Sequence, residues 1–286
     1  MRRILFALSS LLGLMSAPMA ATAGEAAAER EACKGCEALL ELAAANPLRK
    51  EDKVRDKYRH PVDTLTFFGV GPLMKVGEYA PGGEWYSRLL GLYLGPQGHL
   101  VGLYFDPDSG AFKPETQEGI RKGAANYPAD VARFTGMPAE RFSAFTLGAV
   151  PEAEKGTFDR ILVIRMMHNL MRWNIADSEV ESMRELLKPG GLLGIVQHRA
   201  KPDAPYSYAD GSKGYLREAD LIKFMEVNGF ELVDKSEINV NPKDSADWPA
   251  GVWTLPPTLT LKDQDRDKYL AVGESDRMTL LFRKRD

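Results

Sequence analysis

The chain has 286 residues, 44% of them hydrophobic and 27% charged, which is ordinary globular composition and enough for one α/β domain with a full core or two small ones. Its formal net charge of −3, with no concentrated basic stripe, argues against a nucleic-acid-binding role. After the first two dozen residues no apolar run is long enough to span a bilayer.

The amino terminus has its own logic. Arg2 and Arg3 are followed by an almost unbroken apolar run from Ile4 to Met15, then Pro18 and a stretch of alanines, with Ala21-Thr22-Ala23 as an A-x-A cleavage site. This is the layout of a secretory signal peptide over residues 1–23, with a mature chain of 24–286 in the periplasm or secreted; an uncleaved membrane anchor is the competing reading. Cleavage there removes two basic residues and no acid, moving the formal net charge from −3 to −5. The only cysteines, Cys33 and Cys36, lie just inside the mature start. In an oxidising compartment a pair so spaced suits a local disulfide. No thioredoxin-like unit surrounds it, and no histidine stands at zinc-finger spacing.

Residues 24–55 read as a helical extension. Glu25 to Asn46 is rich in Ala and Glu and ends at Pro47, and a charged helix is expected from Lys50 to Phe68. Met74 to Tyr79 then reads as a strand, Ala80-Pro81-Gly82-Gly83 as a tight turn, and Trp85 to Tyr93 as a helix with one apolar face. His99 to Phe105 is a second strand ending at Asp106, which makes a strand–helix–strand unit with a right-handed crossover. Phe142 to Leu147 is a weak strand, and Phe158 to Met166 is a buried one. A helix follows with Ser178 and Glu181 as a capping box and Val180, Met183, Leu186 and Leu187 on its buried side. Lys188-Pro189-Gly190-Gly191 stops it before a strand from Leu192 to Gln197. A helix from Arg217 to Asn228, a strand from Phe230 to Ile238 and a last strand from Met278 to Phe282 complete the series. The alternation predicts one doubly wound, mostly parallel sheet. Residues 239–276, with four prolines and two tryptophans, form a long lid-like insertion before the last strand.

The run Glu78-Tyr79-Ala80-Pro81-Gly82-Gly83-Glu84 resembles motif I of class I S-adenosylmethionine-dependent methyltransferases: an acid ending the first strand, then a glycine-rich turn into a helix. Where the common pattern has three glycines, this chain has Ala80, Gly82 and Glu84. Leu187 to Leu193 resembles the L-K-P-G-G run before the fifth strand of that fold, and Gly229-Phe230 the turn before the sixth. More narrowly, the chain resembles a family of exported bacterial predicted methyltransferases. The segments that carry this are Arg55 to Pro61, Pro81 to Tyr86, Gln197 to Ala200, Ser236 to Asn239 and Gly273 to Met278. The resemblance implies a Rossmann-like seven-stranded sheet with an antiparallel seventh strand. It also implies S-adenosyl-L-methionine as cofactor, with Glu78, Ala80, Pro81, Gly82 and Gly83 forming the cofactor turn and Asp106 on the ribose. An anionic Glu84 would either repel the methionyl carboxylate or pair with the ammonium.

Ligands of open α/β sheets lie beyond the carboxyl ends of the strands, where His168 and His198 should stand. They are the candidate catalytic bases, and structural hydrogen bonding is the competing reading. His60 and His99 read as structural or solvent-facing. Met166, Met167, His168 and Met171 are ligand types that suit copper, though an apolar core explains the same letters. Trp248 and Trp253 are candidates for a substrate pocket, and Trp85 for the core. The expected function is methyl transfer to a small-molecule or protein acceptor. The alternative is a non-catalytic periplasmic binding protein that keeps the fold, with metal binding as one form of it. A nicotinamide dehydrogenase fits badly, because no G-x-G-x-x-G opens the first helix.

Overall fold

A computed structural model describes residues 35–285. The segment expected to be a signal peptide, its expected cleavage site and Cys33 lie outside the described residues. Cys36 is disulfide-bonded.

Seven strands form one sheet: β1 (Lys75–Tyr79), β2 (His99–Tyr104), β3 (Phe142–Thr146), β4 (Phe158–Ile164), β5 (Leu187–His198), β6 (Phe230–Ser236) and β7 (Arg277–Lys284), in the order β3-β2-β1-β4-β5-β7-β6. β7 pairs antiparallel with both neighbours and every other pairing is parallel. This is the doubly wound, Rossmann-like architecture that the resemblance implies, including the reversed seventh strand.

Among the described residues ten α-helices accompany the strands: α1 (Cys36–Ala45), α2 (Asp56–Arg59), α3 (Pro61–Phe67), α4 (Trp85–Leu94), α5 (Pro114–Thr135), α6 (Met167–Arg172), α7 (Ala176–Leu186), α8 (Tyr206–Ala209), α9 (Glu218–Val227) and α10 (Arg266–Val272). The period-2 alternation of the strands feeds two cores. Ile161, Val163, Leu193 and Ile195 pack with Val180, Met183 and Leu186 of α7 on one face. Leu162, Leu192 and Val196 pack with Leu89 and Leu90 of α4 on the other. Such two-sided burial explains why β4 and β5 read as near-continuous apolar runs.

Four local differences from the sequence reading have clear causes. The expected helix from Lys50 to Phe68 is broken at His60, which sits at φ 39 ahead of Pro61. A residue before proline is driven out of the right-handed helical region, and proline itself is accepted only in the first turn. The 22-residue α5, which fills the connection between β2 and β3, was not expected. Its buried face is only Ile120, Ala124, Tyr127 and Val131, and Pro128 interrupts the pattern. Ser178 is no cap: α7 begins at Ala176, so the hydroxyl lies inside the helix and donates to the Ile175 carbonyl at 3.1 Å. Finally, β5 starts at Leu187 rather than Leu192, because Leu187 pairs with Phe158 across a register irregularity.

The insertion before β7 is packed rather than loose. It carries a 3-10 turn at Gly251–Thr254 and helix α10, and it builds a third small core from Trp248, Val252, Leu255 and Tyr269 with Tyr215. Fully buried Asp244 ties it together, accepting from Trp248 Nε1 (2.6 Å), Tyr215 Oη (3.0 Å) and the backbone N–H groups of Ala246 and Asp276 (2.8 Å each).

Candidate functional site

Chain order reverses between β1, which continues to β2 on one side, and β4 on the other. Such a switch point opens a crevice beyond the carboxyl ends of the strands. There lies a cleft of about 370 Å³, within the size range of small-molecule sites. The turn Ala80 to Gly83 forms one wall, His168 and His198 another, and Trp253 with Pro256 to Thr258 of the insertion a third.

The turn explains the motif. Ala80, Gly82 and Glu84 have φ of 48, 57 and 59. All three glycine positions of the common pattern therefore keep the left-handed backbone that glycine favours, although two carry side chains at a cost of about 1–2 kcal/mol each. A Cβ added at Gly83 would meet nothing within 4 Å, and one at Gly82 only the Ala80 carbonyl at 3.7 Å. The backbone there is open to a ligand. Glu84 does not line the cleft. Its carboxyl pKa is raised by burial and by Asp130, with Arg88 and Arg133 opposing. The expected clash or pairing of Glu84 with a methionyl group is therefore not built into this geometry.

Glu78 borders the cleft, but its carboxyl is engaged from behind: Ser87 Oγ donates to it at 2.6 Å, and Tyr127 Oη lies 3.4 Å away. Burial pushes its pKa up to about 8 against these hydrogen bonds, leaving it protonated at neutral pH. Its role is to pin the turn to α4 and α5. Asp106 does not reach the cleft. Its backbone N–H donates to Glu179 Oε1 (2.7 Å), its Oδ1 accepts from the Asp108 N–H (2.9 Å), and its carboxyl lies against Gly148, where a Cβ would stand 2.0 Å from Oδ1. Glu179 also accepts from Tyr79 Oη at 2.8 Å, and Tyr79, Phe105, Phe112 and Trp173 pack edge to face beside it. In this structure the Asp106 carboxyl is thus turned toward Gly148 and away from the cleft where a ribose was expected.

The structure brings His168 and His198 together, ring centroids 5.4 Å apart. Gln197 Nε2 donates to the Gly214 carbonyl (2.8 Å), which turns its Oε1 toward His168, 3.2 Å from Nδ1. An amide oxygen can only accept, so Nδ1 carries the proton and Nε2 keeps its lone pair. His198 Nδ1 lies 2.5 Å from Ser275 Oγ. Burial lowers the His168 pKa to about 4, against the Gln197 hydrogen bond, and lowers that of His198 well below the usual imidazole value, with His168 and nearby arginines adding to it. Both rings are neutral at neutral pH. His99 hydrogen-bonds Ser143 at the opening end of β2, and His60 marks the break before α3. Neither lines the cleft.

Trp253 lines the cleft with its ring 5.8 Å from His168, whereas Trp248 serves the core of the insertion. Trp85 does both: it is buried in the core, yet it edges the cleft. Met167 is fully buried in the core and Met166 Sδ accepts from Asn169 Nδ2 (2.9 Å), so apolar packing accounts for this run. Among the described residues no three His, Cys, Asp or Glu side chains gather as metal ligands.

Sequence reasoning missed Arg55, Arg59, Arg165 and Glu274, all of which line the cleft. Arg55 Nε donates to Glu274 Oε1 at 2.8 Å, and Arg59 Nε lies 3.3 and 3.2 Å from its two oxygens. Arg165, at φ 57, leaves the end of β4 in a strained backbone of the kind that functional sites retain. One signal was available. Arg55 to Pro61 and Gly273 to Met278 both carried the resemblance, and they meet here.

No family model matches the chain, and no curated protein matches it. Solved structures are similar at the level of the chain path. A SAM-dependent methyltransferase from Aquifex aeolicus has 18% identity over 67% of this chain and 91% of its own, with a TM-score of 0.49. The N-methyltransferase NodS from Bradyrhizobium japonicum, in complex with S-adenosylhomocysteine, has 14% identity over 88% of this chain and 100% of its own, with a TM-score of 0.45. Scores and identities this low decide nothing about activity, and the fold rests on the strand order itself.

Proposed function

We propose that this protein is an S-adenosylmethionine-dependent methyltransferase, exported by its amino-terminal signal, that methylates an acceptor held under the insertion. The observation that carries the reading is the turn: three left-handed positions at Ala80, Gly82 and Glu84 border a cleft at the switch point of the sheet. Ala80, Pro81, Gly82 and Gly83 would hold the methionyl end of the cofactor, which when bound supplies an electrophilic methyl group. The residues present fit that end better than the ribose, since Asp106 would have to turn toward the cleft to meet it.

The protein's own contribution is positioning and exclusion of water. Trp253 and Pro256 to Thr258 line the side of the cleft away from the turn, where they would cover an acceptor and restrict its placement. His168, fixed by Gln197 with Nε2 as acceptor, orients an acceptor O–H or N–H and takes up its proton late. A pKa of about 4 makes it a weak base, which suits a reaction driven by placement. His198, linked to Ser275, supports the same wall. Export is supported by Arg2, Arg3 and the apolar run before Ala21-Thr22-Ala23, and the disulfide at Cys36 suits an oxidising compartment. Among the described residues no helix is long and apolar enough to cross a membrane.

One observation favours the alternative of a non-catalytic binding protein: Asp106 faces Gly148 instead of the cleft. Calorimetric titration of the mature chain with S-adenosylmethionine and S-adenosylhomocysteine decides between them. Micromolar binding of both is expected. Absence of heat at millimolar ligand would leave the binding-protein reading.

A further inference from the structure

Four guanidinium groups surround the single carboxylate of Glu274. Arg55 and Arg59 bond it through Nε, Arg277 reaches it through Nη1 at 3.3 Å, and Arg165 lies close enough to act on it electrostatically. The acids nearest in sequence are committed elsewhere: Asp52 to Arg88, Asp56 to Arg49, and Asp276 to Arg199. Glu78 is turned to Ser87 and Tyr127, and burial raises its pKa to about 8. The cluster therefore carries three positive charges in excess.

Its donors are also unspent. Both Nη atoms of Arg59, Nη2 of Arg55 and Nε of Arg165 and Arg277 are shielded from solvent without a hydrogen-bond partner. Arg59 is only 2% exposed, and its guanidinium is stacked 4.5 Å over the Trp85 ring, so it is held in place beside the cleft that Arg55, Arg59 and Arg165 line. Buried charge without partners is expensive, and a fork of guanidinium N–H groups matches a carboxylate in two-point geometry.

We infer that this part of the cleft is a carboxylate-binding site, built by Arg55, Arg59 and Arg165 around Glu274, and that the ligand of this protein brings an anionic group to it. The lowered pKa values of Arg59 (about 9) and Arg165 (about 10), caused first by burial, agree with missing counter-charge. The site deepens the methyltransferase reading, and two sources could supply its carboxylate: the methionyl end of the cofactor or the acceptor. Its place favours the acceptor. Arg165 is three residues before His168, and Glu274 adjoins Ser275, the partner of His198. A cationic sulfonium near these arginines would also be opposed unless a further anion lay between them.

The test is thermal unfolding of the mature chain in sodium malonate against sodium chloride at equal ionic strength. Malonate should raise the midpoint by about 3 °C or more once it is tenfold above its dissociation constant. The response should vanish in Arg59→Gln and Arg165→Gln and return in part in Arg59→Lys. Equal midpoints in the two salts, or a full response in Arg59→Gln, would overturn the inference. Calorimetry with S-adenosylhomocysteine and with 5′-methylthioadenosine, which lacks the amino-acid end, then identifies the source. If the carboxylate is the cofactor's, Arg59→Gln weakens the first at least tenfold and spares the second. If it is the acceptor's, both affinities hold and malonate still binds the loaded protein. A malonate response without any nucleoside binding would remove the methyltransferase reading and leave the anion site standing.

Discussion

Replacing Glu84 with glycine separates the backbone demands of the turn from the chemistry of its side chains. Residue 84 sits at φ 59, a conformation that costs a non-glycine residue about 1–2 kcal/mol. Glycine removes that cost but adds unfolded-state freedom worth about 0.5–1 kcal/mol. The net stabilisation is about 0.5–1 kcal/mol, which in a chain of this size raises the unfolding midpoint by about 1–4 °C. The substitution also removes a carboxyl that burial and Asp130 make uncomfortable. Because the side chain does not line the cleft, affinity for S-adenosylhomocysteine should stay within twofold of the native protein. Differential scanning calorimetry and isothermal titration on the same preparation give both numbers. A lower midpoint would refute the strain argument. An affinity change of tenfold or more, in either direction, would show that Glu84 does contact the ligand.

Four further outcomes are expected. Stability should fall as pH drops from about 6.5 to about 4, since the unfolded chain binds a proton at His168 that the folded ring refuses, and denaturant titrations on His168→Gln should show a flatter acid limb. Glu78 acts in the opposite sense: with its folded pKa raised to about 8, its contribution is full below about 4.3 and is lost as pH rises through 8, so Glu78→Gln should flatten the alkaline limb. Asp244→Ala should destabilise the protein by about 3 kcal/mol, because it strands the donors of Trp248 and Tyr215 in a buried core; urea unfolding followed by tryptophan fluorescence measures the loss, and a value below about 1 kcal/mol would contradict the argument. Under the methyltransferase reading, His168→Ala should lower kcat by tenfold or more with cofactor affinity unchanged, and full activity would remove it from the site.

The frame of the fold was legible because β1, β2, β4, β5 and β7 are short apolar runs set between turn residues, and because Glu78 to Glu84 marks a strand–turn–helix entry. Helix α5 was not legible. Its one buried stripe is diluted by charged and small residues, and its stability comes from packing against β2 and β3 rather than from local periodicity. In the site, His168 and His198 follow from position alone: each leaves the carboxyl end of a strand. Asp106 also follows its strand, yet the fate of its carboxyl depends on Gly148, which is distant in sequence. The arginine cluster joins residues more than 200 positions apart, and no local pattern announces such a contact.

A crystal structure of the mature chain grown with S-adenosylhomocysteine tests the central claim most directly. The account predicts density for the amino-acid end of the ligand over Ala80 to Gly83, with Asp106 turned toward the ribose. A ligand bound elsewhere, or a cleft that stays without nucleoside at saturating concentration, would contradict it.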